Sequence, residues 1–372
     1  MNFTDISIDQ FLGSDNSNPM MWLIWIIPIV IFMFYGQRIQ LKITSGEINK
    51  GIEKLLKYKE ESSRELLSHL KKNFSVQQDA AKRVDDFMEY FTIMPVDMDP
   101  SGIMPKIKHL MRSREDYTRI QVRALCQSDD QYELSKVQNL LEVVTALHLL
   151  HKIVRHLFLI AKKQNNFPLI LPLQMMLPFI MEQAEALKDS VSALKRGQPI
   201  GDGIGPMVVG KMMLGTKKRA VTFETVCSEI EFEQRKVLLL KAEGPHATVG
   251  RPGDAVETLA SEKKPDIIIM IDAALKLEGE TSASVAQGFG AAIGGIGTDR
   301  FQIEEIATKH QIPVYAIVIK QSIKEAITLM TKDIAEKADE VESRVYQTIR
   351  ENTSAGQSVL VIGVGNTLGV PQ

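Results

Sequence analysis

Ser358-Val359-Leu360-Val361-Ile362-Gly363-Val364-Gly365-Asn366-Thr367-Leu368-Gly369-Val370-Pro371-Gln372 is an apolar run that opens into a glycine-rich turn. A short aliphatic stretch of this kind, bounded by glycine, reads as a strand buried on both faces. Such a strand commonly starts an α/β domain and feeds a helix through its loop. Here the matching loop and helix lie far upstream, at Gly201-Asp202-Gly203-Ile204-Gly205-Pro206 and the following Met207-Val208-Val209. Joined across the gap, the two pieces make one strand, loop and helix. The pattern predicts an α/β domain over residues 197–372 whose first strand has moved to its end.

Working outward, strands are expected at Ala220 to Val226, Val237 to Lys241, Ile267 to Asp272, Val314 to Ile319 and Ser358 to Ile362. Helical patterns lie between them, at Gly205 to Leu214, Asp254 to Glu262, Phe301 to His310 and Ser322 to Glu351. Short apolar strands alternating with helices imply a mostly parallel sheet covered on both faces, hence three layers. Ligands in such folds bind beyond the carboxyl ends of the strands. Residues 38–196 instead read as an all-α region, with apolar spacing such as Leu66, Leu67 and Leu70 and a turn cluster from Met94 to Gly102. The stretch from Phe167 to Met181 is apolar but interrupted by Pro168, Pro172 and Pro178, which suits a buried helix or one packed onto a membrane face. His148 and His151 sit three apart without an acidic third ligand nearby, and read as structural histidines.

The chain has 372 residues, a formal net charge of −2 and two cysteines, Cys126 and Cys227. No basic field marks a nucleic-acid partner, and two cysteines are too few for a disulfide framework. Residues 19–37 are almost wholly apolar and long enough for a transmembrane helix. The preceding 1–18 segment contains no Lys or Arg, whereas Arg38, Lys42, Lys50, Lys54 and Lys57 follow the span. The positive-inside rule therefore expects a short extracytoplasmic N-terminus and a cytoplasmic bulk at the cell membrane. Trp22, Trp25 and Tyr35 would be interfacial anchors, and a core or oligomerisation helix is the competing reading.

Two acidic residues stand where such a fold delivers side chains to its crevice. Asp272 ends the strand Ile267 to Ile271, and Asp202 precedes the helix that starts near Gly205. Helix N–H groups and the helix dipole are expected to lower the Asp202 pKa. Two carboxylates in one cleft can divide into an acid and a base. A helix cap or a loop hydrogen bond is the plainer role for either. Gly363 to Gly369 also resembles a dinucleotide fingerprint, but no helix follows it before Gln372. Gly288 to Gly297 suits either a phosphate-wrapping loop or a lid.

The run Lys264-Pro265-Asp266-Ile267-Ile268-Ile269-Met270-Ile271-Asp272-Ala273-Ala274 resembles the aspartate-bearing strand of the bacterial spore germination protease, whose fold the hydrogenase maturation proteases share. The likeness extends upstream to Ala242 through Gly250, and downstream through Gly294-Gly295-Ile296-Gly297-Thr298-Asp299-Arg300 to Ile317. Gly363-Val364-Gly365-Asn366 and Asp202-Gly203-Ile204-Gly205 resemble that fold's opening loop and acidic turn in reversed chain order. The resemblance implies a circularly permuted, phosphorylase/hydrolase-like sheet in which Asp202 and Asp272 are catalytic. It further implies substrate contacts from Asn366, Gly363, Gly365, Gly244, His246, Gly295 and Gly297. In the maturation proteases these acidic positions and a histidine bind nickel. No histidine lies between Leu275 and Arg300 here, unlike the nickel-binding pattern; the leading reading requires no cofactor, and a divalent metal, if bound, would fall to Asp202, Asp272 and His246. The whole chain also resembles an uncharacterised archaeal family, domain of unknown function 1512. The expected function is a membrane-tethered cytoplasmic peptidase-like protein that hydrolyses a protein or peptide substrate with two acidic residues. A homo-oligomer is compatible with it. The alternative is a non-catalytic peptide- or ligand-binding assembly or sensor protein on the same fold.

Overall fold

The computed structural model describes residues 19–74, 79–91, 102–164, 167–294 and 297–371. The 1–18 segment, residues 94–101 of the turn cluster and Gly295 lie outside the described residues. The chain forms two compact units: residues 1–54 with 152–179, and residues 55–151 with 180–372.

The first unit is helical. It contains the start of α1 (Pro19–Asn73), the end of α4 (Gln131–Lys163) and the start of α5 (Phe167–Arg196). Thr44 donates to Gln174 Oε1 at 3.1 Å, and Gln174 Nε2 donates to Glu47 Oε2 at 2.8 Å. The expected N-terminal span falls at the start of α1, where Ile24, Trp25, Ile26, Ile27, Ile29, Val30 and Ile31 are all exposed. By length and hydropathy, however, the described helix that qualifies as a membrane span is α4, not α1. Much of that apolarity is spent on burial: Leu134, Val137, Leu140, Leu141, Val144 and Leu147 of α4 lie in the core of the second unit.

The second unit joins a helical layer to a seven-stranded sheet. The helical layer uses the rest of α1, α4 and α5 with α2 (Ala80–Glu89) and α3 (Ile103–Cys126). The strands are β1 (Lys218–Thr222), β2 (Thr225–Phe232), β3 (Arg235–Ala242), β4 (Ile267–Leu275), β5 (Val285–Phe289), β6 (Val314–Gln321) and β7 (Ser358–Gly363). Their order is β1-β2-β3-β7-β4-β6-β5. The central β3, β7, β4 and β6 are parallel, and antiparallel strands close both edges. The last strand thus lies in the middle, with Val361 opposite Leu239 on one side and Ile269 on the other.

Alternating side chains divide the core in two, as the period of two requires. Val237, Leu239, Ile269, Ile271, Val359 and Val361 pack against α6 (Ile204–Met212) and α11 (Lys337–Asn352). Leu238, Leu240, Ile268, Met270, Leu360 and Ile362 pack against α7 (Pro252–Lys263) and α8 (Thr298–His310). Each such aliphatic side chain contributes about 1.5–3 kcal/mol on burial.

Three local expectations are corrected. Ala220 to Val226 is a hairpin, turned at Phe223 and Glu224, where Glu224 has φ +47°. β5 is an additional, largely exposed edge strand whose Gly288 weakens its strand signature. The continuous helix expected from Ser322 is three pieces, with α9 (Ile323–Ile327) and α10 (Lys332–Ala335) ahead of α11. Ser322 forms a capping box with Glu325, and Thr331 caps α10, so two N-cap side chains restart the chain.

Candidate functional site

The end of β7, the middle of β4 at Ile271 and the start of α6 meet with backbone against backbone; β4 runs on to Leu275 beside β6, so Asp272 lies within its strand, not at the strand end that the sequence suggests. Val364 N donates to Ile271 O at 2.8 Å. A Cβ on Gly205 would run into the carbonyls of Ile271 and Val364, and one on Gly363 would lie 2.5 Å from Gly205 O. The terminal strand and the upstream helix therefore adjoin in space, as their sequences suggest.

Asp202 lies in a single 3₁₀ turn, Gly201–Gly203, just ahead of α6. Its Oδ2 accepts from Asn366 N at 2.7 Å. That contact needs Gly365, whose φ is +130° and whose Cβ would overlap the Asp202 carbonyl. Burial raises the Asp202 pKa, and the Asn366 N–H opposes it by a smaller amount. This reverses the expectation of a lowered value. The helix dipole is outweighed because a buried charge loses its hydration while accepting the N–H of Asn366 alone.

Asp272 sits one residue beyond Ile271 and is 5% exposed. Its Oδ1 accepts from Ala273 N at 2.7 Å, and Gly294 N donates to the same carboxylate. Burial first, and the charge of Asp202 second, raise its pKa well above the ordinary value. Two carboxyl groups from separate elements are thus desolvated together and repel one another. Such a pair holds one proton more readily than none.

Asn366 joins this pair to a second feature. Its Oδ1 accepts from Leu368 N at 2.9 Å, and its Nδ2 reaches Asn139 Oδ1 of α4 at 3.4 Å. Asn139 also reaches Ala247 O at 3.4 Å, and Ser135 Oγ accepts from Ala247 N at 3.0 Å. The buried Thr367 hydroxyl lies 2.8–3.0 Å from the carbonyls of Glu243, His246 and Thr248. Beyond Asn366 opens a polar cavity of about 240 Å³, lined among others by Glu115, Arg119, Asn139, Glu142, His246 and Arg251. Arg119 and Arg251 both lie over the Phe223 ring, at 4.5 and 4.8 Å.

The structure therefore brings together Asp202, Asp272, Asn366, Gly363 and Gly365. Gly244 is a close-approach residue: a Cβ there would strike the Val370 carbonyl. His246 faces the cavity with Asn366, not the two carboxylates. Gly297 is the left-handed residue before α8, with φ +86°. Gly295 lies outside the described residues. Among the described residues, no three His, Cys, Asp or Glu side chains are grouped to hold a metal. Asp202, Asp272 and His246 thus do not form a metal site, and the maturation proteases' nickel does not fit here.

Three contributors escape sequence reasoning. Gln321, wholly buried, donates from Nε2 to Gly201 O at 3.0 Å, while its Oε1 has no partner. Together with the Gly201 N to Thr328 O bond of 3.2 Å, it holds the turn that carries Asp202. Its place at the carboxyl end of β6 is the one available sequence signal. Ser135 and Asn139 had none, because they lie on a helix whose apolar face dominates its pattern.

Fold and site define a three-layer α/β protein with a repelling carboxylate pair at the carboxyl edge of its sheet, capped by a helical layer. The chain belongs to the DUF1512 family: residues 200–371 match the domain of unknown function (DUF1512) C-terminal, and residues 22–197 the protein of unknown function (DUF1512) N-terminal domain. Comparison with curated proteins finds no match.

Proposed function

We propose that this protein is a membrane-tethered peptidase-like hydrolase in which Asp202 and Asp272 act as a carboxylate pair. The observation that carries the reading is their joint burial, which raises the pKa of both, with the charge of Asp202 raising that of Asp272 further. The ionised member takes a proton from water as the oxygen attacks the peptide carbonyl, and the protonated member gives its proton to the leaving amine. Asn366 orients the peptide, since its backbone N–H binds Asp202 while the residue lines the polar cavity. The adjoining of β7, the Gly363–Gly365 loop and α6 supports a permuted form of the germination-protease fold. The continuous exposed apolar residues at the start of α1 support an N-terminal anchor, because a helix apolar on all sides is unsuited to water. The basic residues after it favour a cytoplasmic bulk.

A second reading is favoured by one observation: neither aspartate lines the cavity, whereas Asn366 and His246 do. In that reading the protein binds a peptide or small ligand without turnover. Incubating the full chain and its Asp272→Asn variant with a diverse peptide library, with and without divalent metal, separates the two. Cleavage that the variant loses supports the hydrolase. Ligand-dependent thermal stabilisation of both proteins without cleavage would replace it with the binding role.

A further inference from the structure

The two edges of the sheet are unlike. β1 begins Lys218-Arg219, and its pairing with β2 shifts register between Ala220 and Thr222. Charges and irregular pairing of this kind keep an edge strand from annealing to another chain. β5 has neither device. No charged residue and no proline lies between Glu280 and Asp299, and β5 pairs with β6 in unbroken register from Val285 to Phe289. Phe289 is 82% exposed, an apolar side chain where an edge ordinarily carries a charge. Backbone pairing groups are also free there. Gly290 N donates to Val314 O at 2.9 Å and Lys320 N to Ser284 O at 2.8 Å, so the even-numbered residues bond β6. The odd-numbered Val285, Gln287 and Phe289 therefore turn their backbone groups outward. Among the described residues, the one side chain that reaches them is Arg344, from Nη1 to Val285 O at 3.4 Å.

α11 runs beside this edge and in step with it. Arg344 bonds Val285, and the Thr348 hydroxyl accepts from Gln287 Nε2 at 3.0 Å. Asn352 Oδ1 accepts at 2.8 Å from the hydroxyl of Tyr315, which stands opposite Phe289 in the sheet. Each step is four residues of helix, about 6 Å, against two of strand, about 7 Å. A two-fold axis at Gln287 is thus also level with Thr348. About that axis two β5 strands pair antiparallel, with Gln287 opposite its own copy and Val285 opposite Phe289 twice over. Odd-numbered side chains share one face, so each exposed Phe289 ring covers a half-buried Val285. The same axis sets two α11 helices antiparallel. Exposed Glu351 lies on the stripe of Arg344 and Thr348, at spacings of seven and three, and comes level with Arg344 of the other copy. The edge is complementary to itself in backbone, apolar surface and charge.

We propose that β5 is a homodimer interface, at which two copies of this chain pair antiparallel about Gln287 and join their seven-stranded sheets into one. It stands independently of the peptidase reading.

Light scattering and cysteine cross-linking of the full chain in detergent test this. Gln287→Cys should cross-link to its own copy under mild oxidation, because residues bonded opposite one another lie about 5.5 Å apart at Cα, within reach of a disulfide. Phe289→Cys should not, since its two copies lie about 14 Å apart. The native Cys126 and Cys227 are buried, with thiols pushed up to about 12 and about 11, and do not compete. Phe289→Lys places a charge beside the partner's Val285 and should raise the dimer dissociation constant about tenfold or more. Glu351→Arg sets like charges together at two places and should raise it about tenfold. Both side chains are exposed, so circular dichroism should show the fold retained. A protein monomeric throughout the micromolar range overturns the proposal. So does a dimer that neither substitution weakens, which would put the interface elsewhere. A monomer whose Gln287→Cys thiol is shielded from alkylation by an added extended peptide also overturns it, and gives the edge to that peptide instead.

Discussion

Replacing Asp202 by Asn should make the protein more stable at neutral pH. The amide oxygen still accepts the 2.7 Å bond from Asn366 N, so geometry is retained while a buried charge is removed. Two unfavourable contributions vanish together: the desolvation of Asp202 and its repulsion of Asp272. The sign follows from linkage. A carboxyl group whose folded pKa is raised contributes stability that is complete below its unfolded pKa, near 4, and is lost as pH rises through the folded value. The wild type should therefore lose stability from about pH 4 upward, and the variant should lose less. Removing such a site cost typically returns about 1–2 kcal/mol. For a unit of this size that is about 2–3 °C in Tm at pH 7.5, shrinking towards nothing at pH 4. The assay is calorimetry or far-UV circular dichroism of the full chain in detergent. Tryptophan emission is unsuitable, since both tryptophans, Trp22 and Trp25, lie in the N-terminal run. An equal loss of Tm at both pH values would refute the reasoning, because the carboxyl would then hold the Asn366 loop whatever its charge.

Lys241 is 1% exposed, and its amine, held by Ala242 O at 2.9 Å, is pushed down by burial to about 8. Because the unfolded amine keeps its proton up to its ordinary pKa, folding should strengthen between about pH 8 and 10.5. Lys241→Met should then stabilise by about 3 kcal/mol at pH 7, with the gain gone near pH 10.5 in urea titrations at both pH values. Gly365→Ala forces a side chain into the Asp202 carbonyl at φ +130°, and should cost about 3 kcal/mol or more, read as a lowered urea midpoint. Asn139→Ala removes the α4 link to Asn366 and Ala247 and should change Tm by no more than about 1 kcal/mol equivalent. It should nevertheless weaken peptide binding or cleavage, measured beside the wild type.

The architecture of the sheet was legible because its central strands are buried on both faces. Runs such as Ile267 to Ile271 and Val359 to Ile362 leave no polar alternation to misread. The pairing of Gly363 to Asn366 with Asp202 was also legible, since close backbone approach demands glycine at fixed places. Edge features were not. β5 is half exposed and contains a glycine, and the β1–β2 hairpin turns at Phe223-Glu224 without a glycine. Ser322 and Thr331 restart helices through side-chain caps that periodicity does not register. At the site, the sequence put Asp202 just ahead of α6, where it lies, but not the direction of its pKa shift. The helix dipole is a local property readable from position, whereas desolvation depends on chain segments far apart in sequence. The position of His246 depends on the same long-range contacts: Thr367 holds its loop by the carbonyls, and the residue lines the cavity with Asn366.

Asn366 is the element that makes one site out of two layers. Its backbone N–H binds the Asp202 carboxyl, and its side chain meets Asn139 of the helical layer at the edge of the cavity. A hydrogen bond to an ionised acceptor is stronger than one to a neutral acceptor, by about 1 kcal/mol. The protonation state of the carboxylate pair therefore bears on how firmly the Asn366 loop is held, and a ligand in the cavity bears on the same loop from the other side. Thr367 and Gly369 extend this restraint, because their backbone N–H groups bond Thr248 O and Pro245 O at 2.9 Å. Moving Asn366 thus requires moving the loop on which His246 sits. A helical layer bonded at Ser135 and Asn139 is a wall of the cavity rather than a separate neighbour, and the Asn366 loop links that wall to the Asp202 carboxyl.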